Sequence, residues 1–266
     1  MVKMRGYLMV LIAGLVAGCS GFRPEPTPTS APTPPPTPAL VCGQAGTTIQ
    51  DKVSIAGENR SLSFSVYLPP CYATEGRAAY PVLYWTAIGG QYILDTADEL
   101  IRRGELPPCL VAMLETPGLE GLGADERIIR YVVPYVDAHY RTLPDPQHRS
   151  ITGISHGAAI AARAALQPPN LFGRLAVISG GIADGEQAKF TAWLAQTPPE
   201  QRPLILIDVG EQDGILTLTR YLMDVLDKQG VPYTFTHGAG GHTGAYWSAH
   251  MAEYLKWLIG GEGAGG

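Results

Sequence analysis

The chain has 266 residues, 45% of them hydrophobic, and a mean hydropathy of +0.05. That is enough apolar material for one large domain with a buried core, and no second domain is required. The formal charge is −5 with no basic stripe, which excludes nucleic-acid binding driven by phosphate neutralisation.

Lys3 and Arg5 precede an apolar run from Tyr7 to Ala17, the charged and hydrophobic regions of a secretory signal. The run is too short for a permanent membrane span. It ends in Val16-Ala17-Gly18-Cys19, which resembles the bacterial lipobox, where the signal is cut before a Cys that receives lipid. Residues 1–18 are therefore read as a lipoprotein signal peptide. Acyl chains on Cys19 would tether the protein to the cell envelope, facing outside the cytoplasm, without a spanning helix. Residues 19–40 form the linker, and from Arg23 to Pro38 they are mostly Pro, Thr, Ser and Ala with no apolar periodicity. Such a segment cannot bury enough surface to fold and predicts an extended spacer.

The folded domain is expected at residues 41–260, followed by a Gly-rich tail at 261–266. Three cysteines lie within it, Cys42, Cys71 and Cys109. Export into an oxidising compartment permits a disulfide, and a Cys42–Cys71 bridge would staple the first two strands; the alternative is three free thiols. Cys109 opens a buried-looking run, where a thiol acts as a small hydrophobe.

Predicted strands are Thr47 to Ile55, Ser61 to Leu68, Pro81 to Thr86, Leu110 to Leu114, Ser150 to Thr152, Leu175 to Ser179, Leu204 to Val209 and Tyr233 to Thr236. From the third strand on, predicted helices fall between them. These are Leu94 to Arg103, Asp125 to His139, His156 to Leu166, Gln187 to Ala195, Leu216 to Gln229 and Gly244 to Leu258. Gly104, Gly230 and Pro168-Pro169 stand where helices should stop. The alternation implies an α/β fold: a mainly parallel central sheet flanked by helices on both faces. The polar and apolar alternation of the first two strands suits an antiparallel start to it.

Between the strand at Ser150 to Thr152 and the Ala-rich helix lies Gly153-Ile154-Ser155-His156-Gly157, a GxSxG pentapeptide. The five letters alone arise by chance in a Gly-rich chain. In a strand-turn-helix context they predict a nucleophile elbow with Ser155 at its tip, against a bland Ser in a βα turn. A Ser hydroxyl needs a base to take its proton, and the base needs a carboxylate to orient it. On α/β-hydrolase sheets these follow in the order Ser, acid, His at later strand ends.

Of the six His residues, His139 and His148 precede Ser155, His156 belongs to the elbow and His250 lies in a predicted helix. His237 and His242 remain, both expected in the loop after the last strand, Thr236-His237-Gly238-Ala239-Gly240-Gly241-His242. His242, at the far end of the Gly-rich stretch, is assigned the base, with His237 as the alternative. The acid falls in Leu204 to Asp213, which offers Asp208 inside the strand, Glu211 beyond it and Asp213 on the following loop. End-of-strand position favours Asp213, whose structural alternative is a helix cap. One oxyanion donor is expected from the His156 backbone N–H and a second from Ile88 or Gly89 in the loop after the third strand.

The chain resembles the family of α/β-hydrolases that includes esterase D, feruloyl and other carbohydrate esterases, and the mycolyltransferases. The resemblance rests on Val66 to Pro70, Tyr80 to Tyr84, Pro134-Tyr135-Val136-Asp137 with Tyr140-Arg141-Thr142, and Gly153 to Gly157. It continues through Phe172-Gly173, Ser179-Gly180, Asp208 to Asp213, and Gly240-Gly241-His242 followed by Trp247. It implies an α/β-hydrolase fold and carries nucleophile, acid and base onto Ser155, Asp213 and His242. Three positions depart from the family pattern. Ala87-Ile88 stands where His-Gly is usual, Ala158 where a second Gly is usual, and Tyr131 where a Glu is common. The first departure bears on the second oxyanion donor and suggests an open, shallow acyl site.

The expected activity is cleavage of a carboxylic ester through an acyl-enzyme, with a small-molecule or carbohydrate ester as substrate and with no metal and no organic cofactor. Two alternatives stand beside it: acyl transfer to a sugar or cell-wall hydroxyl, and a binding or envelope domain that kept the fold with weakened catalysis.

Overall fold

The computed structural model describes residues 45–260, except 58, 60, 75, 77, 87–89 and 115–122. The expected lipidation site Cys19, the linker, Cys42, Ile88, Gly89 and the Gly-rich tail lie outside the described residues.

Among the described residues the strands are β1 (Thr47–Ser54), β2 (Ser61–Leu68), β3 (Val82–Trp85), β4 (Leu110–Met113), β5 (Arg149–Ile154), β6 (Arg174–Ile178), β7 (Leu204–Gly210) and β8 (Thr234–Gly238). They form one 8-stranded sheet in the order β1-β2-β4-β3-β5-β6-β7-β8. β1 and β2 are antiparallel to each other, β2 is antiparallel to β4, and the remaining neighbours are parallel.

The central strands are apolar runs because both of their faces are covered. Successive side chains point to opposite faces, so each strand divides its residues between two cores. Val82 and Tyr84, Leu110 and Ala112, and Leu175 and Val177 join one core. Leu83 and Trp85, Val111 and Met113, and Ala176 and Ile178 join the other. Four helices, α3 (Val133–His139), α4 (His156–Leu166), α5 (Gln187–Gln196) and α6 (Leu216–Lys228), supply the first core. The second is closed by α1 (Gln91–Arg102) and α7 (Gly244–Ile259). The Ala-rich α4 is short of bulk so that it can lie close on the sheet; Ala158, Ala161, Ala162, Ala164 and Ala165 are all buried.

Two predicted elements differ in detail. The segment read as one helix from Asp125 to His139 is α2 (Ala124–Arg127), a π-helical turn (Ile128–Val132) and then α3, with Pro134 at its start. Proline has no amide hydrogen to donate, and the wider π turn comes just before the residue that would break a regular ladder. The last strand runs on to Gly238, so His237 is a strand residue opposite Val209 rather than a loop residue. Its place in the ladder was hidden because β8 is an edge strand whose Thr and His residues face solvent.

Strand order fixes where a site can form. From β3 the chain moves through α1 to β4 on one side, and β5 lies on the other side of β3. The order in which strands are added therefore reverses between β3 and β5, which run parallel, and open α/β sheets bind ligands at such a point, beyond the carboxyl ends of the strands. Ser155 emerges from β5 there, and residues 87–89 follow β3.

Candidate active site

Ser155 has φ 57° and ψ −120°, a left-handed backbone that non-Gly residues rarely adopt. It is held by its surroundings. The Ser155 N–H donates to Ile178 O at 3.0 Å, and the Ser155 carbonyl accepts from Ala158 N at 3.1 Å. Gly153 is needed because a Cβ there would collide with the Gly157 carbonyl and the Thr86 hydroxyl. The buried Thr86 hydroxyl lies 3.0 Å from Thr152 O and 2.7 Å from Gly157 O, tying the end of β3 to both sides of the elbow. The turn carries its strain because strand, helix and the Thr86 contact together over-determine it.

The histidine and acid candidates sort themselves into separate pairs. His242 Nε2 is 2.9 Å from Ser155 Oγ, and His242 Nδ1 is 3.0 and 3.1 Å from the two carboxylate oxygens of Asp213. His237 instead meets Glu211 at 3.2 Å, where both side chains are exposed. Asp208 is buried within β7 and accepts hydrogen bonds from the hydroxyls of Tyr254 at 2.7 Å and Thr236 at 2.6 Å. Ser155, Asp213 and His242 are thus brought together, while His237, Glu211 and Asp208 face elsewhere.

An ionised carboxylate can only accept, so His242 Nδ1 carries the hydrogen and Nε2 offers its lone pair to the Ser155 hydroxyl. Asp213 also accepts from the Ile215 N–H at 3.0 Å, the residue that caps α6. This is a local turn bond to the residue before the helix, and α6 has no side-chain cap, so the helix-cap alternative for Asp213 does not hold. The Asp213 side chain is 0% exposed and that of His242 is 37% exposed. The acid is thus shielded from solvent while the base can meet a substrate.

The His242 loop crosses the end of β7 closely. A Cβ on Gly210 would collide with the Gly240 carbonyl, and the backbone N–H groups of Glu211 and Gln212 donate to the carbonyls of Gly238 and Gly240, each at 2.9 Å. Gln212 returns the contact by accepting from the Gly240 N–H at 2.7 Å. The Gly-rich stretch therefore lays the base directly over the loop that carries the acid.

His156 opens α4, which puts its backbone N–H at the positive end of a helix beside Ser155. Its side chain is exposed. The proposed second donors, Ile88 and Gly89, lie outside the described residues. Three neighbours had no role assigned from the sequence: Thr86, and Ser179 and Trp247, which entered only among the residues that carry the family resemblance. Trp247 stands perpendicular to His242, with ring centroids 5.0 Å apart at 89°, and its indole N–H donates to Ser179 Oγ at 2.8 Å. Among the described residues no group of three or more His, Cys, Asp or Glu could hold a metal ion.

The family model described as "Putative esterase" matches residues 125–258, half of the chain. The chain is 23% identical over 244 residues to the uncharacterized protein YbbA of Bacillus subtilis (strain 168), covering 77% of this chain and 94% of that one. Among solved structures, a ferulic acid esterase superposes with a TM-score of 0.67 at 19% identity, covering 81% of this chain and 98% of that one. S-formylglutathione hydrolase from Staphylococcus aureus superposes with a TM-score of 0.62 at 17% identity, covering 81% and 98%. Those superpositions establish the shared α/β-hydrolase fold. The chain belongs to the esterase family whose model spans α2 to α7, and it is a carboxylic-ester hydrolase.

Proposed function

We propose that this protein is a lipid-anchored serine esterase of the cell envelope that works through an acyl-enzyme on Ser155. The observation that carries the reading is the bridge of His242 between the Ser155 hydroxyl and the buried Asp213 carboxylate.

In the first half-reaction Ser155 Oγ bonds to the ester carbonyl carbon as its proton passes to His242 Nε2. The carbonyl π electrons move onto oxygen, which the His156 N–H and a donor from Ile88 or Gly89 stabilise. Collapse breaks the bond to the alcohol oxygen, which leaves with the proton from His242. Water then repeats the sequence on the acyl-enzyme and releases the acid. Asp213 keeps the imidazole in the required tautomer throughout and stabilises its cation.

Anchoring rests on the lipobox-like Val16-Ala17-Gly18-Cys19 and the Pro/Thr-rich linker. Export would allow Cys42 and Cys71 to pair. The substrate class proposed is a small-molecule or carbohydrate carboxylic ester, with the feruloyl esterase likeness making phenolic esters a first choice in any panel.

The purified protein should hydrolyse a short-chain nitrophenyl ester, and Ser155→Ala should abolish the activity. Unchanged turnover in that variant would overturn the assignment. For the anchor, cells fed an alkyne fatty acid should label the protein through Cys19, and labelling that survives Cys19→Ala would remove the proposed attachment point.

A further inference from the structure

Two hydrogen bonds hold His242, one from Nδ1 to Asp213 and one from the Ser155 hydroxyl to Nε2. Both act roughly along the line between acid and nucleophile, so they leave the tilt of the ring about that line free. With 37% of the side chain exposed, one part of the imidazole faces solvent, and on that side nothing resists such a rotation. A base that tilts loses its alignment with the Ser155 proton even while its centre stays in place.

Among the described residues one ring contact opposes the tilt. The indole of Trp247 lies perpendicular to the imidazole, with centroids 5.0 Å apart and an interplanar angle of 89°, the edge-to-face arrangement that aromatic quadrupoles favour. Trp247 is itself fixed at both ends. Its backbone N–H donates to the Thr243 carbonyl at 3.3 Å in the first turn of α7. Its indole N–H donates to Ser179 Oγ at 2.8 Å.

Ser179 is an unusual anchor. It is fully buried and has φ 45°, a left-handed backbone on a residue with a side chain. Its N–H donates to Asp208 O on β7 at 2.7 Å, while the preceding residue, Ile178, accepts the Ser155 N–H at 3.0 Å. The end of β6 thus grips the backbone of the nucleophile on one side. On the other it presents the hydroxyl that holds the wall of the base. Strained backbone of this kind persists where its surroundings enforce it.

We propose that Ser179 and Trp247 are positioning residues: Trp247 sets the tilt of the His242 ring, and Ser179 fixes Trp247. The proposal rests on the reading of Ser155, His242 and Asp213 as the catalytic triad. Neither residue needs to touch substrate, so their loss should lower turnover without weakening binding.

The test uses the whole protein, with kcat expressed per fluorophosphonate-reactive site so that misfolded molecules do not count. A misplacement near 1 Å costs on the order of 100-fold. Trp247→Leu should therefore lower kcat by at least about tenfold with KM nearly unchanged, and should move the acidic limb of the pH profile of kcat/KM. Trp247→Phe keeps a ring beside His242 but loses the N–H that Ser179 holds, so it should recover part of the loss, and Ser179→Ala, which removes the same hydrogen bond, should fall to a similar level. The proposal is overturned if Trp247→Leu keeps kcat per reactive site and the pH profile of the parent, if Phe rescues no better than Leu, or if Ser179→Ala keeps the parent kcat. Ser155→Ala run in parallel separates the two levels: residual activity there defeats the triad itself, whereas an inactive Ser155→Ala beside an unaffected Trp247→Leu defeats the positioning role.

Discussion

Gly153 and Gly157 meet backbone to backbone beneath the Ser155 turn, where a Cβ on Gly153 would overlap the Gly157 carbonyl. The close approach lets β5 feed α4 without a longer loop, through the single left-handed residue Ser155. Gly153→Ala should separate strand and helix by part of a methyl radius. Overpacking of this kind costs about 1–3 kcal/mol. The melting temperature should fall by several degrees and kcat by at least about tenfold, because Ser155 Oγ moves off the His242 axis. Thermal unfolding followed by circular dichroism, together with ester turnover, checks both. Parent values for both would mean that the contact is not tight.

Asp213 both orients His242 and closes a turn onto the Ile215 N–H, and one substitution separates the two. Asn at this position keeps an oxygen for the Ile215 N–H, so stability should stay within about 1 kcal/mol of the parent. Its amide hydrogens, however, would drive His242 to accept at Nδ1, leaving Nε2 protonated and unable to take the Ser155 proton. A wrong-tautomer substitution in serine hydrolases costs about 10⁴ in kcat, and a loss of roughly that size is expected for Asp213→Asn. Steady-state kinetics beside a urea melt gives the answer. A loss of stability matching the loss of activity would reduce Asp213 to a structural residue.

How much of this could be read from the sequence depended on where the information was local. The helix His156–Leu166 and the strand-turn-helix around Ser155 came from adjacent residues, and the Ser, acid, His order came from chain sequence alone. The pairing of His242 with Asp213, and of His237 with Glu211, needed the loop crossing at Gly210 and Gly240 to separate neighbours only five residues apart in the chain. The roles of Thr86, Ser179 and Trp247 were not legible because Thr86 reaches Gly157, and Trp247 reaches Ser179, across more than 60 residues of chain. The π turn before Pro134 was equally hidden, since no composition signal distinguishes it from a regular helical turn.

Cysteine chemistry gives an independent check on the domain. Cys109 is free and fully buried, and burial pushes its thiol up to about 12. A thiol that is both protonated and covered should not react with iodoacetamide in the native protein at neutral pH. After unfolding without reductant, the domain should release one reactive thiol if Cys42 and Cys71 are paired, and three if they are not. Mass spectrometry of the alkylated protein counts them, and three labels would remove the proposed bridge.

Asp51 on β1 ties the edge hairpin to the helical layer, and it should make part of the stability pH-dependent. Burial alone would raise its carboxyl, but hydrogen bonds from the Tyr135 and Tyr140 hydroxyls, each at 2.8 Å, from the Lys52 N–H, and the nearby His139 outweigh that and hold it below its ordinary value of 3.8. A carboxylate with a lowered folded pKa binds its proton more readily in the unfolded chain. Its stabilisation is therefore fully present above the ordinary value and is lost as pH falls through the folded one. The group is partly solvated, so the effect is modest. Asp51→Asn should melt below the parent by a constant margin from about pH 8 to about pH 5, and the margin should close as pH drops below about 4. Melting curves of both proteins across that range make the comparison. A margin that stays constant down to about pH 3 would show that the ionised carboxylate contributes nothing beyond its shape and that the two tyrosines hold the hairpin through neutral hydrogen bonds.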